Sequence, residues 1–150
     1  MGVSTFSSTE EALDRLEQHI SEKGLRMTRQ RRLIAKVALD SEGHLNIEEL
    51  YRSVNLVDGS VGYATIYRTL KLLSECGLVI SSHFGDGAVR FESAVACDHH
   101  DHMICTSCNK ITEFENEKIE SLQEQCCAQL NFKMTSHRME IYGLCSDCQS

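Results

Sequence analysis

Apolar positions in the first half of the chain recur at helical spacing. Ser8-Thr9-Glu10-Glu11 forms a capped start, followed by Leu13, Leu16 and Ile20 on one face. Gly24 ends this helix. Thr28 can cap a second one, whose stripe is Leu33, Ile34, Val37 and Ala38. A turn over residues 40–44 leads to Asn46, the cap of a short third helix bearing Ile47, Leu50, Tyr51 and Val54. A second turn, Val57-Asp58-Gly59-Ser60, precedes a fourth helix expected from about Val61 to Cys76, with Ile66, Leu70 and Leu73 inward and Gly77 just past its end. The period then falls to two. Residues 78–84 read as a strand, Gly85-Asp86-Gly87 as a hairpin turn, and residues 89–92 as the returning strand. Short helices followed by a hairpin predict a winged helix-turn-helix, which lays its last helix in the DNA major groove.

Residues 93–98 read as a hinge, and the pattern beyond it is different. Strands are expected over residues 102–104 and 110–114, a helix over 117–130 and one longer strand over 132–144. The fold class predicted is therefore α+β. A winged-helix DNA-binding domain spans residues 1–92, and a C-terminal α/β dimerisation domain with a three-stranded antiparallel sheet spans residues 99–150.

Charge refines this division. The 150 residues carry a formal net charge of -7, which taken alone argues against a polyanionic partner. Its distribution removes the objection: residues 1–90 sum to -1 and residues 91–150 to -6. Lys23, Arg26, Arg29, Arg31, Arg32 and Lys36 form a run of six cations with no acid among them. Such a run is either a solvated helix face or a phosphate-contacting patch. No apolar run reaches membrane-spanning length, and residues 1–11 lack the basic and apolar regions of a secretory signal, so a cytoplasmic, reducing setting is expected. Eight cysteines in that setting point to metal ligands or redox thiols rather than a disulfide framework.

Two Cys-x-x-Cys pairs, Cys105/Cys108 and Cys145/Cys148, are separated by 36 residues. Two such knuckles can close a tetrahedral thiolate site, the usual structural Zn²⁺ geometry. A redox pair is the competing reading, but redox chemistry needs one pair at a helix start, and neither pair clearly opens a helix. Cys76 reads as a core residue. Cys126 and Cys127 lie mid-helix, and Cys97 lies beside a histidine cluster.

That cluster is His99-His100-Asp101-His102. In an extended segment side chains alternate faces, so His100 and His102 point one way and His99 and Asp101 the other. One strand would feed two nitrogen/oxygen metal sites, neither complete alone. Partners are available in His44, Glu92, Glu113, Glu120 and His137. Imidazole with carboxylate suits Fe²⁺, Mn²⁺, Co²⁺ or Zn²⁺ and disfavours Cu⁺. The plain alternative is a solvated polar strand edge.

These pieces together resemble the ferric uptake regulator (Fur) family of metal-dependent bacterial repressors. The likeness rests on Gly24-Leu25-Arg26-Met27-Thr28-Arg29-Gln30-Arg31, Ala64-Thr65-Ile66-Tyr67-Arg68-Thr69-Leu70, Phe91-Glu92, the histidine cluster with Met103-Ile104-Cys105, and His137 with Ile141-Tyr142-Gly143. The resemblance implies a structural zinc site at Cys105, Cys108, Cys145 and Cys148. It implies a regulatory site at His44, Glu92, His100 and His102 joining two lobes, and a further site at His99, Asp101, Glu120 and His137. It places Tyr67 and Arg68 on the DNA recognition helix and Arg26 in the minor groove. Arg29 stands where the family often has proline, and Asp98 where some members have histidine.

The function so implied is that of a non-enzymatic, homodimeric regulator of a palindromic operator in double-stranded DNA. It would carry structural Zn²⁺ and respond to Fe²⁺, with Mn²⁺, Co²⁺ and Zn²⁺ also chemically admissible. It would repress iron-uptake genes and need neither a membrane nor an organic substrate. Peroxide-sensing and zinc- or manganese-sensing members of the superfamily are the near alternatives. A peroxide sensor would resemble this chain with Asp at Glu92 and Glu113. A zinc-stabilised thiol redox enzyme is the alternative from another class. A zinc hydrolase or deaminase is disfavoured, because a site of four thiolates leaves no position open for water.

Overall fold

The computed structural model describes residues 6–83, 87–95 and 99–149. Residues 6–95 belong to one compact unit and residues 99–149 to another.

In the first unit the caps decide where helices begin. Helix α1 (Thr9–Glu22) starts where the Ser8 hydroxyl accepts from the Glu11 N–H, and α2 (Arg29–Asp40) where the Thr28 hydroxyl accepts from the Arg31 N–H. Asn46 and Glu49 form a reciprocal capping box at the head of α3 (Ile47–Val57). The last helix, α4 (Tyr63–Glu75), is shorter than its stripe suggests. Val61 is buried and its N–H bonds to the Asp58 carbonyl, so the turn extends to Gly62 before the helix begins. Gly77, at φ +72°, lets the chain reverse so that the Leu78 N–H reaches the Leu73 carbonyl.

Leu13, Leu16 and Ile20 of α1 pack with Ile34 of α2, Leu50 and Val54 of α3, and Ile66, Leu70 and Leu73 of α4 into one apolar core. Most of the apolar stripe residues read from the sequence lie inside, while Leu33, Val37, Ile47 and Tyr51 are half-buried at its edge, and α2 also buries Ala35 and Leu39. A small antiparallel sheet flanks the core in the order β1 (Leu45–Asn46), β3 (Val89–Ser93), β2 (Val79–His83). Strands β2 and β3 are the expected wing. The expected turn residues Gly85 and Asp86, and the Phe84 end of the strand, lie outside the described residues. So do the Ala96, Cys97 and Asp98 portion of the expected hinge. Ser93 still belongs to β3, and the Ala94 N–H bonds to the Leu78 carbonyl.

The second unit contains β4 (Asp101–Cys105), β5 (Ile111–Phe114), α5 (Glu117–Gln129), β6 (Glu140–Gly143) and a 3₁₀ turn at Ser146–Cys148. The three strands lie in the order β5-β4-β6. The α+β class with a three-stranded sheet here is as expected, with one correction to the pairing. Strands β4 and β5 are antiparallel, but β6 runs parallel to β4. The connection through α5 carries the chain past β4 to its far edge, and parallel neighbours need a crossover of this kind. A second correction concerns residues 132–139, expected as strand but without regular structure. Only Phe132 and Met134 alternate with polar residues there, too short a run to form a pleated face.

Candidate metal centres

The thiol cluster is assembled by sheet register. Pairing of Cys105 with Gly143 sets the end of β4 beside the end of β6, and the Thr106 N–H locks the contact by bonding to the Gly143 carbonyl at 2.8 Å. Asn109 takes the left-handed φ of 60° that closes the first knuckle. Cys145 and Cys148 frame the 3₁₀ turn. The four Sγ atoms lie within 4.8 Å of one another, and those of Cys108 and Cys145 are 3.7 Å apart. Backbone N–H groups of Cys145 and then Cys108 pull the Cys105 thiol down to about 6. At Cys148 the Ser107 hydroxyl works against a rise, yet the Cys145 and Cys108 sulfurs push the thiol up to about 12. Four thiolates this close cannot all ionise without a cation among them, and a tetrahedral soft dication fits.

A second cluster is built around Asp101 at the start of β4 and His99 just before it. Glu120, in the first turn of α5, places Oε1 3.3 Å from His99 Nε2 and 3.2 Å from His137 Nε2. The Asp101 Oδ1 atom lies 3.5 Å from His99 Nε2. All four donors fall within 4.8 Å of one another. Asp101 is 1% exposed, and neither of its carboxylate oxygens finds a hydrogen-bond partner among the described residues. A buried carboxylate without such partners, facing two imidazoles, fits a divalent cation.

On the other side are His102 of β4 and His100 just before the strand, with ring centroids 4.9 Å apart. Glu113 lies across the β4–β5 ladder from His102, and its Oε1 is 3.6 Å from His100 Nε2. The alternation read from the sequence thus separates the tetrapeptide as expected. In the first unit, the β1–β3 register continues from Leu45/Phe91 to put His44 opposite Glu92, and His44 Nε2 is 3.3 Å from Glu92 Oε2.

The third set of expected residues lies on the helical unit's surface. Helix α4 buries Ile66, Thr69, Leu70 and Leu73 and presents Tyr63, Tyr67 and Arg68 outward. Arg26 is exposed, and its carbonyl accepts from Arg31 at 2.5 Å. Within the basic run, Lys23 bonds Glu75 and Arg32 bonds Glu17. Arg26, Arg29, Arg31 and Lys36 make no ion pair among the described residues.

Comparison with known proteins agrees. The model of the "Ferric uptake regulator family" matches residues 22–142. The chain belongs to the ferric uptake regulator family. A "Ferric uptake regulation protein" of Rhizobium leguminosarum is 42% identical over 129 residues, covering 86% of this chain and 90% of the relative. A solved Helicobacter pylori ferric uptake regulator, described as having three functional metal binding sites, superposes with a TM-score of 0.84 at 32% identity. That match covers 95% of each chain. A solved "zinc-bound manganese uptake regulator" superposes with a TM-score of 0.63 at 42% identity, over 87% of this chain and 98% of its own.

The family match ends before Cys145 and Cys148, so their assignment in this Fur-family chain rests on the thiol cluster itself. Glu113 was only one of several possible partners in the sequence. Its register opposite His102 is the signal that marks it as a donor, and no spacing rule reveals a cross-strand neighbour.

Proposed function

We propose that this Fur-family protein is a metal-responsive transcriptional repressor that binds operator DNA as a homodimer, with Fe²⁺ as the regulatory ion. The observation that supports it best is a pair of half-sites. His44 and Glu92 meet on the helical unit, and His100, His102 and Glu113 meet on the sheet unit. Neither half alone offers the four to six donors that first-row divalent ions favour. We infer that the two halves hold one ion together. Residues 1–92 would then act as the DNA-binding domain, 93–98 as the hinge and 99–150 as the dimerisation domain.

A bound divalent cation supplies concentrated positive charge and a preferred ligand geometry. The ligand residues do the rest. His44 and Glu92 fix the helical domain, and His100 and His102 fix the sheet domain, so coordination by all four selects one domain orientation. In a two-fold dimer that orientation sets the separation of the two α4 helices, and therefore the half-site spacing that can be read. Tyr67 and Arg68 on α4 would reach base edges and backbone, and Arg26 the minor groove. Operator and ion then tighten each other's binding by the same factor. Cys105, Cys108, Cys145 and Cys148 would hold structural Zn²⁺, and His99, Asp101, Glu120 and His137 a further ion. Exposed Leu122, Phe132, Ile141 and Tyr142 supply apolar surface for the second copy.

A manganese response is the second reading. The solved manganese uptake regulator is as similar in sequence as the Rhizobium relative, at 42% each, and imidazole with carboxylate serves both ions. Operator binding titrated separately with Fe²⁺, Mn²⁺ and Zn²⁺ distinguishes these readings. Fe²⁺ should act at the lowest free concentration. Arg68→Ala should lose about 1–3 kcal/mol of specific affinity. DNA binding that ignores all three ions would contradict the proposal.

A further inference from the structure

The inner face of α5 carries more than Glu120. Ile119, Glu120, Gln123 and Cys127 are its half-buried residues, while the rest of the helix from Glu117 to Gln129 is exposed. Gln123 follows Glu120 by three residues and precedes Cys127 by four, so the three form one line along the helix. Both ends of that line are fixed. Glu120 touches His99 and His137, and Cys127 lines an open cavity of about 450 Å³ with the same two histidines. Gln123 sits between them.

Its side chain is unusual. The Gln123 Oε1 atom is buried and has no hydrogen-bond partner among the described residues. The only other described side-chain oxygens in that condition are the two of Asp101, a member of the same cluster. An amide oxygen withdrawn from water without a donor is unfavourable unless something else takes its lone pairs. Such an oxygen is also an ordinary ligand for hard divalent cations.

We propose that Gln123 Oε1 is a fifth protein ligand for the ion held by His99, Asp101, Glu120 and His137, and that it tunes this site toward Mn²⁺ or Fe²⁺ over Zn²⁺. The inference rests on that cluster being a metal site. Two nitrogens and three oxygens exceed the four donors that tetrahedral Zn²⁺ takes and suit ions of higher coordination number. Removing the amide therefore costs the higher-coordinate ion more.

The test uses the full chain with its thiol site zinc-loaded, in a His44→Ala/His100→Ala background that disables the other histidine site. Bound Mn²⁺ is counted by electron paramagnetic resonance, and Zn²⁺ affinity is read by chelator competition. Gln123→Leu should weaken Mn²⁺ at least about tenfold, and Zn²⁺ by less than about threefold. Without added Mn²⁺ its melting temperature should not fall, because an unpaired polar atom has been replaced by an apolar one. Gln123→Glu keeps an oxygen and should hold Mn²⁺ at least as tightly as the parent. A Gln123→Leu variant that melts earlier yet binds Mn²⁺ like the parent makes the residue a structural amide and overturns the proposal. Equal losses for both ions overturn it as well. Asp101→Ala separates the two levels. If it too leaves Mn²⁺ binding unchanged, the metal site itself is wrong, and the Gln123 assignment falls with it. If Asp101→Ala loses the ion and Gln123→Leu does not, only the Gln123 assignment fails.

Discussion

The two units solve the problem of stability differently. The helical unit encloses an apolar core contributed by all four of its helices, with Leu13, Leu16, Ile34, Leu50, Ile66 and Leu73 essentially sealed from water. Each such side chain contributes about 1.5–3 kcal/mol. The sheet unit has about fifty described residues, a size at which a core is marginal in any case. Its buried apolar residues are Ile104 and Cys105, and its helix α5 buries none. What it buries instead is polar: Asp101 and His102. Leu122, Leu130, Phe132 and Leu144 stay on its surface. The helical unit has an apolar core of its own, whereas the sheet unit buries little besides polar groups of the kind that bind ions.

The largest effect that separates the units is metal removal. Stripping an ion from the thiol site by chelation should forfeit binding energy of order 10–16 kcal/mol, and Cys108→Ser, which leaves three of the four thiols, should forfeit part of it. Hydrogen exchange should then accelerate through β4, β5 and β6 while the amides of α1 to α4 keep their protection. Simultaneous loss in both units would mean that the helical core is not stable independently of the thiol site. A smaller effect comes from the core. Ile66→Ala should destabilise the helical unit by about 2–5 kcal/mol, and Leu122→Ala, at an exposed position, should change the isolated chain by less than about 0.5 kcal/mol, both read by chemical denaturation.

The smallest effect is electrostatic. Hydrogen bonds from Lys23 and then His19 hold the Glu75 carboxyl below its ordinary value of 4.5. A lowered folded-state pKa stabilises the protein above the ordinary value, and the contribution fades as pH falls through the folded one. Glu75→Gln should therefore shave a small amount from stability at neutral pH, and progressively less as pH falls through the acid range. An equal loss across that range would assign the residue a role in packing instead.

Much of this was legible in the sequence because it depends on local chemistry. Ser8, Thr28 and Asn46 mark helix starts, since their side chains satisfy the first free N–H groups. The division of His99/Asp101 from His100/His102 follows from strand geometry alone, and the structure keeps it. What residue spacing alone could not join was long-range, and for His44, Glu92 and His137 the family resemblance supplied the grouping. Strand β1 has two residues, too few to show a period, yet it sets His44 opposite Glu92. The parallel direction of β6 depends on where α5 returns the chain. His137 reaches its cluster from a segment without regular structure, where hydrophobic spacing carries no information. Glu113 and Gln123 gain meaning only from cross-strand register and from burial of single atoms.

We propose that one ion, liganded by residues of both units, sets the protein for operator binding. The most direct measurement is operator affinity as a function of free Fe²⁺ or Mn²⁺ for the parent, His44→Ala, His100→Ala and the double variant. Ligands of one shared ion act as a unit, so each single variant should abolish most of the metal dependence and the double should be no worse than either. Metal dependence that survives unchanged in both single variants, or losses that simply add in the double, would contradict a shared ion.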